Sequence, residues 1–493
     1  MTLIIDGHPF HYEMENLCRL FCPQEKIVVL ENAEEPKEDG LCVYTGLKKC
    51  DDGSFLLTVR LVIGDSSKGK AALLPAGAQE EEQKLRMSVT LWKLFSEQFG
   101  FRPSWGILTG IRPVKLFGKF AAERGTEEAV KYFQEEFLVS KEKTELARTT
   151  WKNEEKILSL ARPDGFSLYI SIPFCPTRCA YCSFVSSSVE KTFHLIPKYV
   201  ELLCEEIRRT AQVANRLRLR LQTVYFGGGT PTALSADQLA ALISAVRESF
   251  DLSDCREFTV EAGRPDTITP DKLDAMKRGG VSRISINPQT LNDEVLQAIG
   301  RKHTAAQTLS AFALAREHGF NNINMDLIAG LPKDTPESFR STMERVLELS
   351  PESITVHTLA LKRAARLNQE GKSGNADAAE QMLTFAYDAL MQTGYRPYYL
   401  YRQSRMVGNL ENTGWAKPGF ENLYNVFIME ECQSILACGA GAVTKLRDPD
   451  TDRIERVFNF KYPYEYIDRY EEILGRKERV IEFYERTDPK KDR

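Results

Sequence analysis

The sequence lacks what would direct it to a membrane, a secretory route or nucleic acid. No uninterrupted apolar run approaches the roughly 20 residues of a membrane span, and the start MTLIIDGHPF has neither a basic stretch nor a leader cleavage site. There is no basic excess: 65 Lys and Arg stand against 69 Asp and Glu, giving a net charge of −4 and a pI near 6.0, which argues against a general phosphate-backbone binder. Internal repeats and low-complexity tracts are missing. The 11 cysteines are odd in number and scattered through 493 residues, which speaks against a disulfide framework and for reduced thiols or metal ligands. These absences predict a cytoplasmic protein with no membrane span and no nucleic-acid partner.

What is present is enough apolar content and length for two to four domains with real cores. Up to about Leu74, TLIIDG, KIVVL, LCVYTGL and FLLTVRLVIG read as strands and YEMENLCRLF as a helix. EEEQKLRMSVTLWKLFSEQFG then opens a helical region that runs to about Leu160. After the punctuation ARPDG, six short apolar strands alternate with helices: SLYISIP, TVYFGG, EFTVEA, SRISINP, NINMDLI and SITVHTL. Repeated βα units predict a parallel sheet, and six of them predict a partial, open (β/α)6 TIM-like barrel rather than a closed one of eight. The expected division is an N-terminal α+β and helical module over 1–160, the barrel over 161–362 and a C-terminal α+β domain over 363–493, the last with helices at QMLTFAYDALMQTGY and YPYEYIDRYEEILGRKERV.

SIPFCPTRCAYCSF places Cys175, Cys179 and Cys182 at C-x3-C-x2-C spacing just after the first barrel strand. Structural zinc wants four N or S donors, usually in paired knuckles, and His194 and Cys204 lie on the following helical stretch. A cubane iron–sulfur cluster held by three thiolates leaves one iron for another ligand. The position favours the cluster, because barrel active sites assemble at the C-terminal ends of strands. The remaining cysteines, among them Cys18, Cys22, Cys255, Cys432 and Cys438, read as small core residues.

FGGGTPT ends the second strand, and consecutive glycines let backbone approach a ligand closely, although a tight turn needs them equally. It is not the dinucleotide fingerprint, whose spacing differs. Glu261, Gln289 and Asp326 stand at the ends of later strands and Arg301 follows on the next segment. Strands buried on both faces should be nearly all apolar, so these polar groups suggest a site for a ligand carrying an amine, a carboxylate and a ribose. The plainer reading is that Arg301 and Asp326 pair to fix the adjoining loops.

The motifs together resemble the radical S-adenosylmethionine enzymes, and among them the oxygen-independent coproporphyrinogen III oxidase group with its HemN, HemW and HemZ branches. LYISIPFCPTRCAYC, FGGGTPT, NPQT, IGRKH and NMDLIAGLPKDTPESF carry that resemblance, and ILTGIRPVK with ENLYNVFIMEECQSILACGAGAVTK is most like the HemZ branch. The resemblance implies that Cys175, Cys179 and Cys182 ligate a [4Fe–4S] cluster, and that Tyr169, which is also the catalytic candidate, Gly228 and Glu261 contact the S-adenosylmethionine bound to it. In the oxidase proper a second S-adenosylmethionine lies beside the first, which implies contacts from Tyr181, Gly229, Thr230, Gln289, Arg301, Asp326 and Ala360. The implied chemistry is reductive cleavage of the sulfonium to a 5′-deoxyadenosyl radical that takes a hydrogen from a porphyrinogen propionate, with loss of CO2 leaving a vinyl group. The implied partners are a porphyrinogen substrate and a reductant such as flavodoxin or ferredoxin.

Two departures from the family pattern stand out: Ser171 replaces the histidine before IPFC, and Phe184 replaces a cysteine two residues after the last cluster ligand. Two other functions share the scaffold. A haem chaperone like the HemW branch carries an HNxxYW element, for which this chain has ENLYNV, with Glu421 in place of the histidine and no Tyr–Trp pair. A radical methyltransferase or haem-modifying enzyme could use the same barrel.

Overall fold

The computed structural model describes residues 1–33, 40–110, 112–182, 187–360, 375–403, 405–448, 450–451 and 453–487. Phe184 and the expected boundary at 362 lie outside the described residues. The chain forms two compact units, Met1–Thr149 with Arg402–Glu411, and Thr150–Tyr401 with Asn412–Arg493. No helix among the described residues is long and apolar enough to cross a membrane.

The first unit is built on a five-stranded sheet. Its order is Val28–Glu31, Thr2–Asp6, Leu41–Lys49, Phe55–Ile63 and Ser66–Leu74, parallel for the first three and antiparallel thereafter. Helices His11–Phe21 and Glu80–Phe99 set Met14, Leu17 and Phe21, and Met87, Leu91 and Phe95, against Leu3, Ile5, Leu57, Val59 and Leu61. Glu80–Phe99 has three glutamates in its first turn, where the helix dipole favours them, and Gly100 ends it at φ 74. Ser66–Leu74 has no apolar alternation to betray it, because as an edge strand it leaves most of its side chains in solvent. Within this unit Glu411, only 3 % exposed, takes Lys143 Nζ at 2.6 Å and Trp105 Nε1 at 2.7 Å, so the returning segment is tied down by a buried carboxylate.

The second unit holds the six expected parallel strands in chain order: Gly165–Ile172, Arg220–Gly228, Glu257–Glu261, Arg283–Ser285, Ile323–Ala329 and Ser353–Thr358. Antiparallel Asn412–Ala416 and Arg396–Tyr401 extend one edge. Ser434–Cys438, parallel to the first strand, extends the other edge, followed by antiparallel Val443–Arg447 and Ile454–Phe458. Among the described residues no pairing joins the two ends, so the sheet is open.

The alternation along each parallel strand separates two faces. One carries Phe166, Leu168, Ile170, Val224, Phe226, Val260, Ile284, Met325 and Ile354, all buried. The other is polar in every strand: Tyr169, Tyr225, Thr259 and Arg283 stand in one row, Glu261, Ser285, Asn324 and Ser353 in the next, and Asp326 pairs with Thr355. Arg283, 2 % exposed and in register with Thr259, donates to Asn322 Oδ1 at 3.0 Å, Phe420 O at 2.8 Å and Ser353 Oγ at 2.6 Å. Glu257 accepts the N–H of Leu423 at 2.9 Å and of Tyr424 at 3.4 Å, so its carboxylate sits on the N-terminus of helix Leu423–Glu430.

Candidate active site

The cluster loop leaves the first strand at Ile172 and is held by the glycine loop of the second. Gly229 N donates to Ile172 O at 2.7 Å and Thr230 N to Phe174 O at 2.8 Å, while Thr230 Oγ1 lies 3.5 Å from Cys175 Sγ. A Cβ on Gly229 would stand 2.6 Å from Phe174 O, and Gly228 has φ 103, so both glycines are required for this close backbone approach. Gly227 serves differently: a side chain there would press on Tyr225 and on Glu261 Oε1. The other side of the cluster loop is fixed by Ala180 N to Ile299 O at 2.9 Å and Thr177 Oγ1 to Gly300 O at 3.3 Å.

Cys175, Cys179 and Cys182 are all half-buried cysteines on this one loop, none of them in a disulfide. Among the described residues no three His, Cys, Asp or Glu side chains close on a point that would hold a single metal ion. Convergence of that kind is what tetrahedral zinc demands, whereas in a cubane each thiolate takes its own iron.

Arg301 reaches the same loop. It donates through Nη1 to Asn287 O at 2.7 Å and Gly263 O at 3.3 Å, and through Nη2 to Tyr181 OH at 3.1 Å, while its buried Nε has no partner. Burial opposes its charge, but Tyr181 and Cys179 more than offset that and hold its pKa above the usual value. The salt bridge that sequence allowed between Arg301 and Asp326 is not made. Asp326 instead accepts Asn324 Nδ2 at 2.7 Å and has His357 Nε2 at 3.7 Å. Burial works against the Asp326 charge, yet His357, Asn324 and Thr355 hold it below the usual carboxylate range.

Glu261, at the end of the third strand, accepts Tyr225 OH at 2.6 Å. Burial pushes its pKa up to about 7, helped by Asp326 and resisted by Tyr225 and His357. The Tyr225 ring stacks on Tyr424 at 4.5 Å and on Tyr169 at 6.2 Å, and Tyr169 stacks on Tyr424 at 6.0 Å. Tyr169, Tyr225, Glu261, Arg301, Asp326 and His357 are all part-exposed, in contrast to the polar layer beneath them.

The remaining expected residues are less central. Gln289 is 5 % exposed at φ 68, and its backbone bridges Asp326 O and Ile328 N at 2.9 and 3.0 Å. Ala360 is half-buried, two residues past the sixth strand. Ser171 is turned away to donate to Ala440 O at 2.7 Å, where a Cβ on Gly439 would already meet Ser171 O at 2.5 Å. Sequence reasoning missed Tyr225, His357 and Tyr424. Tyr225 and His357 fall on the polar side of their strands, so the strand alternation could have found them. Tyr424 carried no such signal.

The radical SAM superfamily model matches residues 169–346. Over 488 residues, 97 % of this chain and 97 % of the relative, the chain is 36 % identical to the oxygen-independent coproporphyrinogen-III oxidase-like protein HemZ of Bacillus subtilis. It is 32 % identical to the heme chaperone HemW of Lactococcus lactis, over 64 % of this chain and 79 % of that one. Among solved structures, the radical SAM enzyme coproporphyrinogen III oxidase HemN from Escherichia coli superposes with a TM-score of 0.51 at 27 % identity, covering 64 % of this chain and 72 % of that one.

Proposed function

Because the chain belongs to the radical SAM superfamily, and within it to the HemN, HemW and HemZ family, we propose that it decarboxylates coproporphyrinogen III propionates oxidatively without oxygen, giving the vinyl groups of protoporphyrinogen IX. The superfamily uses a [4Fe–4S] cluster and S-adenosylmethionine, and the residues fit both. Three cysteines share one half-buried loop, and beside them the Arg301 guanidinium, bonded to Asn287 O and Tyr181 OH, has a buried Nε without a partner among the described residues. Cys175, Cys179 and Cys182 would hold the cluster. Tyr169, Gly228 and Glu261 would take the S-adenosylmethionine beside it, and Tyr181, Gly229, Thr230, Gln289, Arg301, Asp326 and Ala360 would serve a second.

When bound, this pair supplies a hydrogen-abstracting 5′-deoxyadenosyl radical. The chain's share is placement and exclusion of water. Arg301 offers a fixed positive charge to a carboxylate, and the ionised Asp326 offers a partner to an ammonium or hydroxyl. Tyr169, Tyr225 and Tyr424 close the interior beneath them with packed rings.

The observation that carries an enzyme over a haem chaperone is the placement of ENLYNV. Asn422 is 1 % and Tyr424 4 % exposed, Asn422 caps its own helix, and Glu421 accepts Gly419 N at 2.9 Å, so the segment faces inward instead of offering ligands to haem. The test is anaerobic turnover of coproporphyrinogen III with reduced flavodoxin or ferredoxin, with porphyrin and 5′-deoxyadenosine assayed together. Stoichiometric haem binding without deoxyadenosine would replace the decarboxylase with a chaperone.

A further inference from the structure

We infer that Tyr225 is a positioning residue for S-adenosylmethionine: its hydroxyl fixes one oxygen of Glu261 and leaves the other to receive the cofactor. This rests on the reading that Glu261 contacts S-adenosylmethionine. Tyr225 pairs in register with Thr259, so Glu261 lies one step further along the polar face, beside Gly227, whose missing side chain makes room for it. The 2.6 Å bond from Tyr225 OH occupies Oε1, and Oε2 of this part-exposed residue accepts no hydrogen bond among the described residues. The donor itself is held still. Its ring lies 4.5 Å from Tyr424 at an interplanar angle of 22° and 6.2 Å from Tyr169 at 21°.

A fixed carboxylate with one free oxygen suits the hydroxyls of a ribose, and a charged acceptor binds a hydroxyl more strongly than a protonated one. Glu261 is faced by Tyr225, Tyr169 and Tyr424, by the carboxylate of Asp326 and by His357. Burial and Asp326 favour its acid form, whereas Tyr225 and His357 favour the carboxylate, which leaves it balanced at a pKa of about 7. The acid form prevails below that pH, so cofactor affinity falls as pH drops through about 7. Removing the Tyr225 hydroxyl takes away a group that favours the carboxylate, so the midpoint must move up.

S-adenosylmethionine affinity of anaerobically reconstituted protein, measured by equilibrium dialysis from about pH 6 to about pH 8.5, tests this on wild type, Glu261→Gln, Tyr225→Phe and Tyr424→Phe. Tyr225→Phe is expected to raise the midpoint by about one pH unit and weaken binding at pH 7 by about fivefold. Tyr424→Phe keeps the ring and makes no bond to Glu261, so its midpoint stays at the wild-type value. Normal binding by Glu261→Gln would overturn the placement of S-adenosylmethionine on Glu261. Weak binding by Glu261→Gln with a wild-type midpoint in Tyr225→Phe would overturn the role of Tyr225 alone. An equal shift in Tyr424→Phe, or loss of iron from Tyr225→Phe, would overturn it too, by making the tyrosines a packing unit.

Discussion

Arg283 and Arg301 lie on the same polar side of the second unit, and they are treated in opposite ways. Arg283, low in the interior, is 2 % exposed and bonded to Asn322, Phe420 and Ser353. A second structural site follows the same rule: Glu206, fully buried, takes Lys477 at 2.7 Å together with Gly439 N, Asn459 Nδ2 and Tyr466 OH. Beside the cysteine loop and at the end of the third strand, Arg301 keeps an Nε and Glu261 an oxygen without a partner among the described residues. Buried polar groups are normally satisfied, because an unmade hydrogen bond costs about 1–3 kcal/mol. The Arg301 Nε and the second Glu261 oxygen are open to a ligand in that sense. The cysteine loop next to them is the chemistry they would serve.

The sharpest way to break this comparison is at the thiols. Cys179→Ala is expected to abolish the cluster in reconstituted protein, taking about four irons and four sulfides with it, while the fold persists. Iron and sulfide analysis beside a thermal melt checks both halves, and stoichiometric zinc in the wild type with no iron–sulfur absorption would refute the cluster.

Next in size is Lys477→Met. It strands Glu206 as a buried unpaired charge and is expected to lose about 3–5 kcal/mol in denaturant unfolding, with cofactor affinity per folded molecule unchanged. Arg301→Ala should weigh mainly on turnover, lowering decarboxylation by about a hundredfold while unfolding free energy falls by about 1–3 kcal/mol for the acceptors it leaves unpaired. If Arg301→Ala lost stability and iron together, the guanidinium would be structural and the contrast with Arg283 would fail.

The smallest expected effect concerns one of several buried polar groups away from the site that depart from the pattern. Glu154 is 2 % exposed with an Oε1 unpartnered among the described residues, and burial, with Glu430 adding to it, raises its pKa well above the usual value. The folded state therefore holds a proton that the unfolded state releases above its ordinary pKa, so this residue lowers stability as pH rises beyond about 4.5. Glu154→Gln is expected to raise unfolding free energy at pH 8 by about 1 kcal/mol and to flatten the pH profile, read by urea melts at several pH values. A lower stability in that variant would mean that the carboxylate is serving something.

Much of the fold was legible because it is written locally. The six parallel strands lie where apolar runs meet turn residues, and the C-x3-C-x2-C loop follows the first of them because both features are contiguous in sequence. The strands Arg396–Tyr401, Asn412–Ala416, Ser434–Cys438, Val443–Arg447 and Ile454–Phe458 escaped notice although they are no shorter than Glu257–Glu261 or Arg283–Ser285, which the repeated βα pattern singled out. One of them begins RPYYLY, with Pro397 beside a register shift, which an edge strand tolerates. Among the site residues, Glu261, Asp326 and Arg301 were found as polar groups at strand ends. Their partners Tyr225 and His357 were passed over, although they obey the same alternation.

The sequence by itself determined the parallel sheet, the three-thiol loop and the family, since periodicity and spacing are properties of neighbouring residues. Only the tertiary structure decided that Tyr424 enters the interior to stack on Tyr225 and Tyr169, that Arg301 leaves Asp326 to His357, and that Ser434–Cys438 joins the sheet beside Gly165–Ile172. Each of those contacts joins segments distant in sequence. Register and packing across a sheet choose such partners, and no local pattern encodes that choice.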